Sequence, residues 1–292
     1  MNQKTLSKCV FFGTPEFALP SLMVLKENFQ LLAVVTEPDK PMGREKKIVF
    51  SPVKNFVLKH KIPLKQPETK EEIAPILKKL KPDFGVVASY GKILPKEALE
   101  APAKGFINVH ASLLPKYRGA SPIQYAILNG EKETGITLIL MDEEVDHGPV
   151  LAQAKTPIFT NDTTALLVNR LADLGASLLI QTLPDYIKGK IKPKKQKHTQ
   201  ATFVSKLKKE DGEIEWSKGA AYLERQIRAF SPWPGSYITI LGKRVILFSA
   251  RLTEKNLVID EIQIEGKNKM KGKDFQNGFK KYLTFFPSFV KF

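Results

Sequence analysis

Lys8-Cys9-Val10-Phe11-Phe12-Gly13-Thr14-Pro15-Glu16-Phe17 decides the fold class. Cys9 to Phe12 is an unbroken apolar run ending at a glycine, the pattern of a strand buried on both faces. Pro15 suits the first turn of a following helix, and residues 17–25 place apolar side chains at helical spacing. A nucleotide-binding fold would carry G-x-G-x-x-G at this turn, but here only the first glycine is present, so no pyrophosphate can approach the backbone and NAD or FAD is not expected. A G-x-x-x-x-G-K-[ST] loop is also missing from the chain, and phosphoryl transfer is not indicated.

The same rhythm continues outward. Residues 31–36 read as the next strand, and a Pro- and Gly-punctuated loop over 38–48 leads to a helix opening at Ser51-Pro52 that carries Val53, Phe56 and Val57. Further strands are expected at 84–88, 106–109 and 136–141, with helices at 71–80 and 121–129 between them. Alternation of this kind predicts an α/β, Rossmann-like, mostly parallel sheet with helices on both faces, and such sheets bind ligands beyond the carboxyl ends of their strands. A long amphipathic helix over 163–187 closes this part. Beyond residue 210 the pattern changes to a short helix over 220–230, the turn Ser231-Pro232-Trp233-Pro234-Gly235 and strands near 237–241, 244–249 and 257–264, a small β-rich unit that a barrel would suit. The expected organisation is therefore a domain over 1–187, a basic linker over 188–209 and a small C-terminal domain over 210–292.

The chain of 292 residues carries a formal net charge of +16, which points to a polyanionic partner. Nine lysines and no acidic residue lie between Lys188 and Lys209, and seven lysines stand against Asp274 alone from Gly266 onward. Lys194, Lys195 and Lys206 in the first cluster are candidate phosphate contacts. Cys9, the single cysteine, excludes an internal disulfide and is expected as a buried core thiol. The four histidines lack metal-ligand spacing, so no metal is expected. The N-terminus has no signal-peptide core and no run reaches the ~18 apolar residues of a membrane span, which predicts a cytoplasmic protein with no membrane partner. Nothing such as a heptad repeat calls for an oligomer, and a monomer is expected.

The chemistry concentrates in Asn108-Val109-His110 and Val145-Asp146-His147-Gly148. Asn108 and His110 are two residues apart, so on a strand both side chains share one face. An amide, an imidazole and a carboxylate can stabilise an oxyanion, move a proton and orient the ring, provided the substrate supplies its own nucleophile. Spacing alone does not separate Asp146 from its neighbours Asp142, Glu143 and Glu144, and His147 is expected to face solvent.

The segment 108–115 (Asn-x-His-x-Ser-Leu-Leu-Pro), the run Tyr117-Arg118-Gly119-Ala120-Ser121-Pro122, Thr134-Gly135-Ile136-Thr137 and Met141-Asp142 to Gly148 together resemble the 10-formyltetrahydrofolate-dependent formyltransferases. The likeness extends to Gly13-Thr14-Pro15-Glu16-Phe17, to the loop around Gly43-Arg44 and to Ala229-Phe230-Ser231-Pro232-Trp233-Pro234. It implies that 10-formyltetrahydrofolate is a cosubstrate, with no tightly bound cofactor, and that the acceptor is the α-amino group of methionyl initiator tRNA. On the same resemblance Asn108, His110 and Asp146 are catalytic, Ser112, Leu113, Leu114 and Pro115 contact folate, and Arg44, Lys46 and Lys47 meet the tRNA acceptor end. It also implies an OB-type C-terminal barrel that binds tRNA. About a dozen residues separate the strand ending near Leu252 from Glu265-Gly266, where the family carries a further hairpin, so a truncated barrel is expected. Formyltransferases acting on glycinamide ribonucleotide or amino sugars share the Asn, His and Asp set, and a catalytically silent RNA-binding protein would also account for the charge.

Overall fold

The computed structural model describes residues 6–42, 47–254 and 256–292. The chain divides into two compact units that interleave along the sequence: the chain up to Arg118 with Gly135–Thr156 and Asn169–Phe203, and Gly119–Thr134 with Pro157–Val168 and Val204–Phe292.

The first unit is built on a seven-stranded sheet. Its strands are β1 (Lys8–Gly13), β2 (Gln30–Val35), β3 (Leu64–Lys65), β4 (Phe84–Ala88), β5 (Phe106–His110), β6 (Glu133–Leu140) and β7 (Val150–Pro157), in the order β7-β6-β5-β4-β1-β2-β3. The β1 pairings with β2 and β4, and those of β2 with β3 and β4 with β5, are parallel. Cys9, Val10, Phe11, Phe12, Phe84 and Val86 are fully buried, as a parallel sheet covered by helices requires. Phe12 packs edge-on against Tyr90 and Phe106, with ring centroids 5.1 and 5.3 Å away. Burial pushes the Cys9 thiol up to about 12, with the nearby Asp83 adding to it, so this cysteine is a core side chain as expected.

Around the sheet lie α1 (Leu19–Asn28), α2 (Pro52–Lys59), α3 (Ile73–Leu80) and α4 (Lys96–Leu99). The Ser51 hydroxyl caps α2 by accepting from the Lys54 amide at 3.1 Å, and Pro52 occupies its first turn. The register aligns Gly13 with Ala88 and Val87 with Asn108, so β1, β4 and β5 end along one edge.

β6 runs against its neighbour within the mostly parallel sheet expected. β6 is antiparallel to β5, with His110 opposite Thr137 and Ile107 opposite Leu140. Its carboxyl end therefore lies level with the start of β5, where the Met141 amide donates to the Phe106 carbonyl at 2.8 Å. Residues 141–149 fold back along the strand to reach Asn108, rather than simply extending past a parallel strand end. β3 and β7 have no counterpart in the sequence reading. β3 is two residues long, and β7 is a half-exposed edge strand with few large apolar side chains to mark it.

The helices α5 (Pro122–Leu128), α6 (Thr164–Ile187) and α7 (Gly219–Ala229) follow, together with a second sheet. By length and composition α6 is apolar enough to cross a membrane, but half of that stretch is buried inside the fold, as in a core helix. The second sheet has β8 (Ser236–Ile240), β9 (Lys243–Thr253), β10 (Asn256–Ile264) and β11 (Met270–Lys271) in sequential order, and β12 (Val290–Lys291) pairs in parallel with β10. Alternate residues Val245, Leu247, Leu257, Ile259, Ile262 and Ile264 face a core shared with Leu223 and Ile227 of α7. Among the described residues no ladder joins β8 to β11 or β12, so the sheet is a half-barrel. After β11 come α8 (Gly272–Gly278) and α9 (Lys280–Leu283), which the sequence pattern does not anticipate. Fully buried Phe275 anchors them, with Phe279, Phe286 and Phe292 rings 5.8, 5.9 and 5.1 Å away.

Candidate active site

Asn108 and His110 sit at the end of β5 on one face and meet at a single carboxylate oxygen. Asn108 Nδ2 donates to Asp146 Oδ1 at 3.0 Å, and His110 Nδ1 lies 3.4 Å from the same oxygen. His110 and Asp146 are nearly closed to solvent, with side chains 6% and 10% exposed. The opposite ring nitrogen, His110 Nε2, is 2.9 Å from the Tyr117 carbonyl. A carbonyl only accepts, so Nε2 carries the proton, and in the neutral ring Nδ1 is the lone-pair nitrogen beside Asp146. Both backbone turns that make this possible are strained: Asp146 has φ +50° and Tyr117 φ +60°, left-handed values that L-residues rarely adopt.

Neighbouring groups hold those turns. The Tyr117 and Arg118 amides donate to Thr202 Oγ1 and the Thr202 carbonyl, both at 2.8 Å. Gly148 lies so close to β6 that a Cβ there would stand 1.8 Å from the Leu140 carbonyl oxygen, which only glycine tolerates. Asp142, Glu143 and Asp146, alike in sequence, have separate surroundings. Glu143 pairs with Lys96 at 3.0 Å with both side chains exposed, Asp142 binds His147, and Asp146 is the one turned to Asn108 and His110. His147 does not simply face solvent: its Nδ1 is 2.7 Å from Asp142 Oδ2 and its ring stacks on His198 with centroids 4.1 Å apart.

The segment 112–115 leaves β5 as a fixed turn. Thr137 Oγ1 donates to the Ser112 carbonyl at 2.6 Å and accepts from the Leu114 amide at 3.0 Å, while Gln153 Nε2 donates to the Leu114 carbonyl at 2.8 Å. Ser112 and Leu114 are buried, and the Ser112 hydroxyl donates to the Lys116 carbonyl at 2.6 Å. Leu113 and Pro115 are the partly exposed members, so any ligand contact here runs through them and through backbone. Lys194, Lys195 and Lys206 are all exposed. Arg44 and Lys46 lie outside the described residues, as does the side chain of Lys47.

Two glutamines that shape the site, Gln153 and Gln196, carry no sequence signal of their own. Thr137 and Gln153 brace the 112–115 turn from neighbouring strands. Gln196 stands between lysines in the basic stretch, yet it is buried. Arg118, buried at the end of the same turn, binds it at 2.7 Å.

Residues 7–183 match the family described as formyl transferase, and residues 206–256 match the formyl transferase C-terminal domain. The chain belongs to the formyl transferase family. Similar proteins include the methionyl-tRNA formyltransferase of Caldanaerobacter subterraneus subsp. tengcongensis, 48% identical across 85% of this chain and 81% of that protein, and the one from Myxococcus xanthus, 41% identical across 94% and 95%. The solved methionyl-tRNA formyltransferase from Clostridium thermocellum shares the fold, with a TM-score of 0.61 at 19% identity, covering 91% of this chain and all of that one. For a formyl transferase, a buried imidazole meeting a part-buried amide and carboxylate at one point is a site suited to carbonyl addition.

Proposed function

We propose that this formyl transferase moves a formyl group from 10-formyltetrahydrofolate to the α-amino group of methionyl initiator tRNA, giving formylmethionyl-tRNA. The observation that carries the chemistry is the convergence of Asn108 and His110 on Asp146 Oδ1. The acceptor amine attacks the formyl carbon, a C–N bond forms, and the carbonyl electron pair moves onto oxygen. One Asn108 N–H is held by Asp146, and the other is free in geometry to meet that developing charge. His110 contributes a donor only when Nδ1 is protonated, because Nε2–H is held by Tyr117. The amine gives up a proton to His110 Nδ1 or Asp146, directly or through water. Collapse breaks the bond to N10 of the folate, which takes a proton and leaves as tetrahydrofolate. No protein nucleophile enters the sequence of steps.

Leu113, Pro115 and the 112–115 backbone are proposed as the folate contact. The exposed lysines Lys194, Lys195 and Lys206, together with Arg44, Lys46 and Lys47, are proposed to meet tRNA phosphates. In this reading residues 210–292 form the tRNA-binding domain, and the enzyme acts in the cytoplasm as a monomer. The test is ionic. Phosphate contacts release counterions, so KM for methionyl-tRNA is expected to rise by about tenfold or more between roughly 50 and 200 mM salt while KM for the folate stays nearly constant. A tRNA KM insensitive to salt contradicts the assignment.

A further inference from the structure

We infer that Gln196 is a positioning residue for the reaction, acting on the Asp146 side chain through the stretch of backbone that directly follows it. The inference rests on the function proposed above and extends it to a part of the chain that its composition marks as a linker. Gln196 Nε2 donates to the Asp146 carbonyl at 2.9 Å and to the Gly148 carbonyl at 2.7 Å. Its Oε1 accepts from Arg118 Nη2 at 2.7 Å and Nε at 3.2 Å. Arginine only donates and a carbonyl only accepts, so this amide has one possible orientation. Gln196 is 7% exposed and Arg118 3%, although Lys195 and Lys197 on either side of Gln196 are exposed.

The consequence is mechanical. Asp146 holds a left-handed backbone conformation, at φ +50°, and something outside the loop must over-determine it. Gln196 grips the loop at both carbonyls flanking His147, and Arg118 fixes Gln196. Arg118 also donates to His198 Nδ1 at 2.9 Å, and the His198 ring lies against His147 of the same loop. The carboxylate that meets Asn108 and His110 is thus aimed by a glutamine about fifty residues further along the chain. Thr202 holds the Tyr117 and Arg118 amides, so the same distal stretch also steadies the carbonyl that fixes the His110 tautomer.

Gln196→Glu is the decisive variant. The carboxylate keeps the shape and the Arg118 contact but replaces the amide donors with an oxygen facing two carbonyls; Gln196→Met removes the donors with no new charge. Both are expected to lower kcat by about 10- to 100-fold with KM for folate and tRNA little changed, because a misplacement of about 1 Å is enough to cost that much. In an Asp146→Asn background, Gln196→Glu is expected to add little, since residues that act as one unit are strongly non-additive. Native kcat in both single variants, a change confined to tRNA KM, or full additivity with Asp146→Asn each overturns the inference. The wild-type enzyme is measured alongside: its failure to formylate methionyl-tRNA would sink the proposed function itself, an outcome separate from all of these.

Discussion

Asp146→Asn is expected to lower kcat for formyl transfer by about 1,000-fold, the range of a lost proton acceptor in a closed site. The substitution is unusually clean here. Asp146 sits at φ +50°, a conformation asparagine tolerates better than almost any other residue with a side chain. The new amide keeps a carbonyl oxygen for the Asn108 donor that now reaches Asp146 Oδ1 at 3.0 Å. What disappears is the charge beside His110 Nδ1. Both Michaelis constants should stay near native and the melting temperature should hold, which separates loss of chemistry from loss of fold. Steady-state rates with saturating folate and methionyl-tRNA check it, and near-native kcat would remove Asp146 from the mechanism.

Gly148→Ala should be almost as damaging, for a steric reason. The added Cβ would stand 1.8 Å from the Leu140 carbonyl oxygen and 3.0 Å from its carbon. Both are backbone atoms of β6, so no side chain can swing away and the loop 141–149 must move. Overpacking of this kind costs about 1–3 kcal/mol of stability. Because Asp146 is two residues away, a loss of about 100-fold in kcat is expected even in molecules that remain folded. A melting curve shifted down together with a reduced kcat is the predicted result. Native kcat would show that the loop relaxes without moving the carboxylate.

The parts of the fold visible in sequence are those fixed by local pattern. Cys9 to Phe12 and residues 84–88 read as buried strands because every side chain is apolar, and all are buried. Asn108 and His110 share a face because strands have a period of two, and they do meet a common partner. Asp146 is different. Nothing in residues 142–146 tells its carboxylate from Asp142 or Glu143, since the distinction is made by β5 some 38 positions away; family resemblance, rather than spacing, singles it out. The direction of β6 was equally hidden, because an apolar run looks the same in parallel and antiparallel neighbours. Gln196 lies in a lysine run that reads as solvated, and its burial depends on Arg118, 78 residues earlier. The helices α8 and α9 escaped notice because they are short, seven and four residues, although Phe275, Phe279 and Tyr282 do fall at helical spacing.

The central claim is that the site at Asn108, His110 and Asp146 formylates the α-amine of methionine carried by tRNA. It is tested most directly by supplying labelled 10-formyltetrahydrofolate to the purified protein with methionyl-tRNA, uncharged tRNA or glycinamide ribonucleotide in parallel. Label is expected on methionyl-tRNA alone, lost when the Asp146→Asn protein is used. Label on glycinamide ribonucleotide instead, or no transfer to methionyl-tRNA by a protein that still binds tRNA, would contradict it.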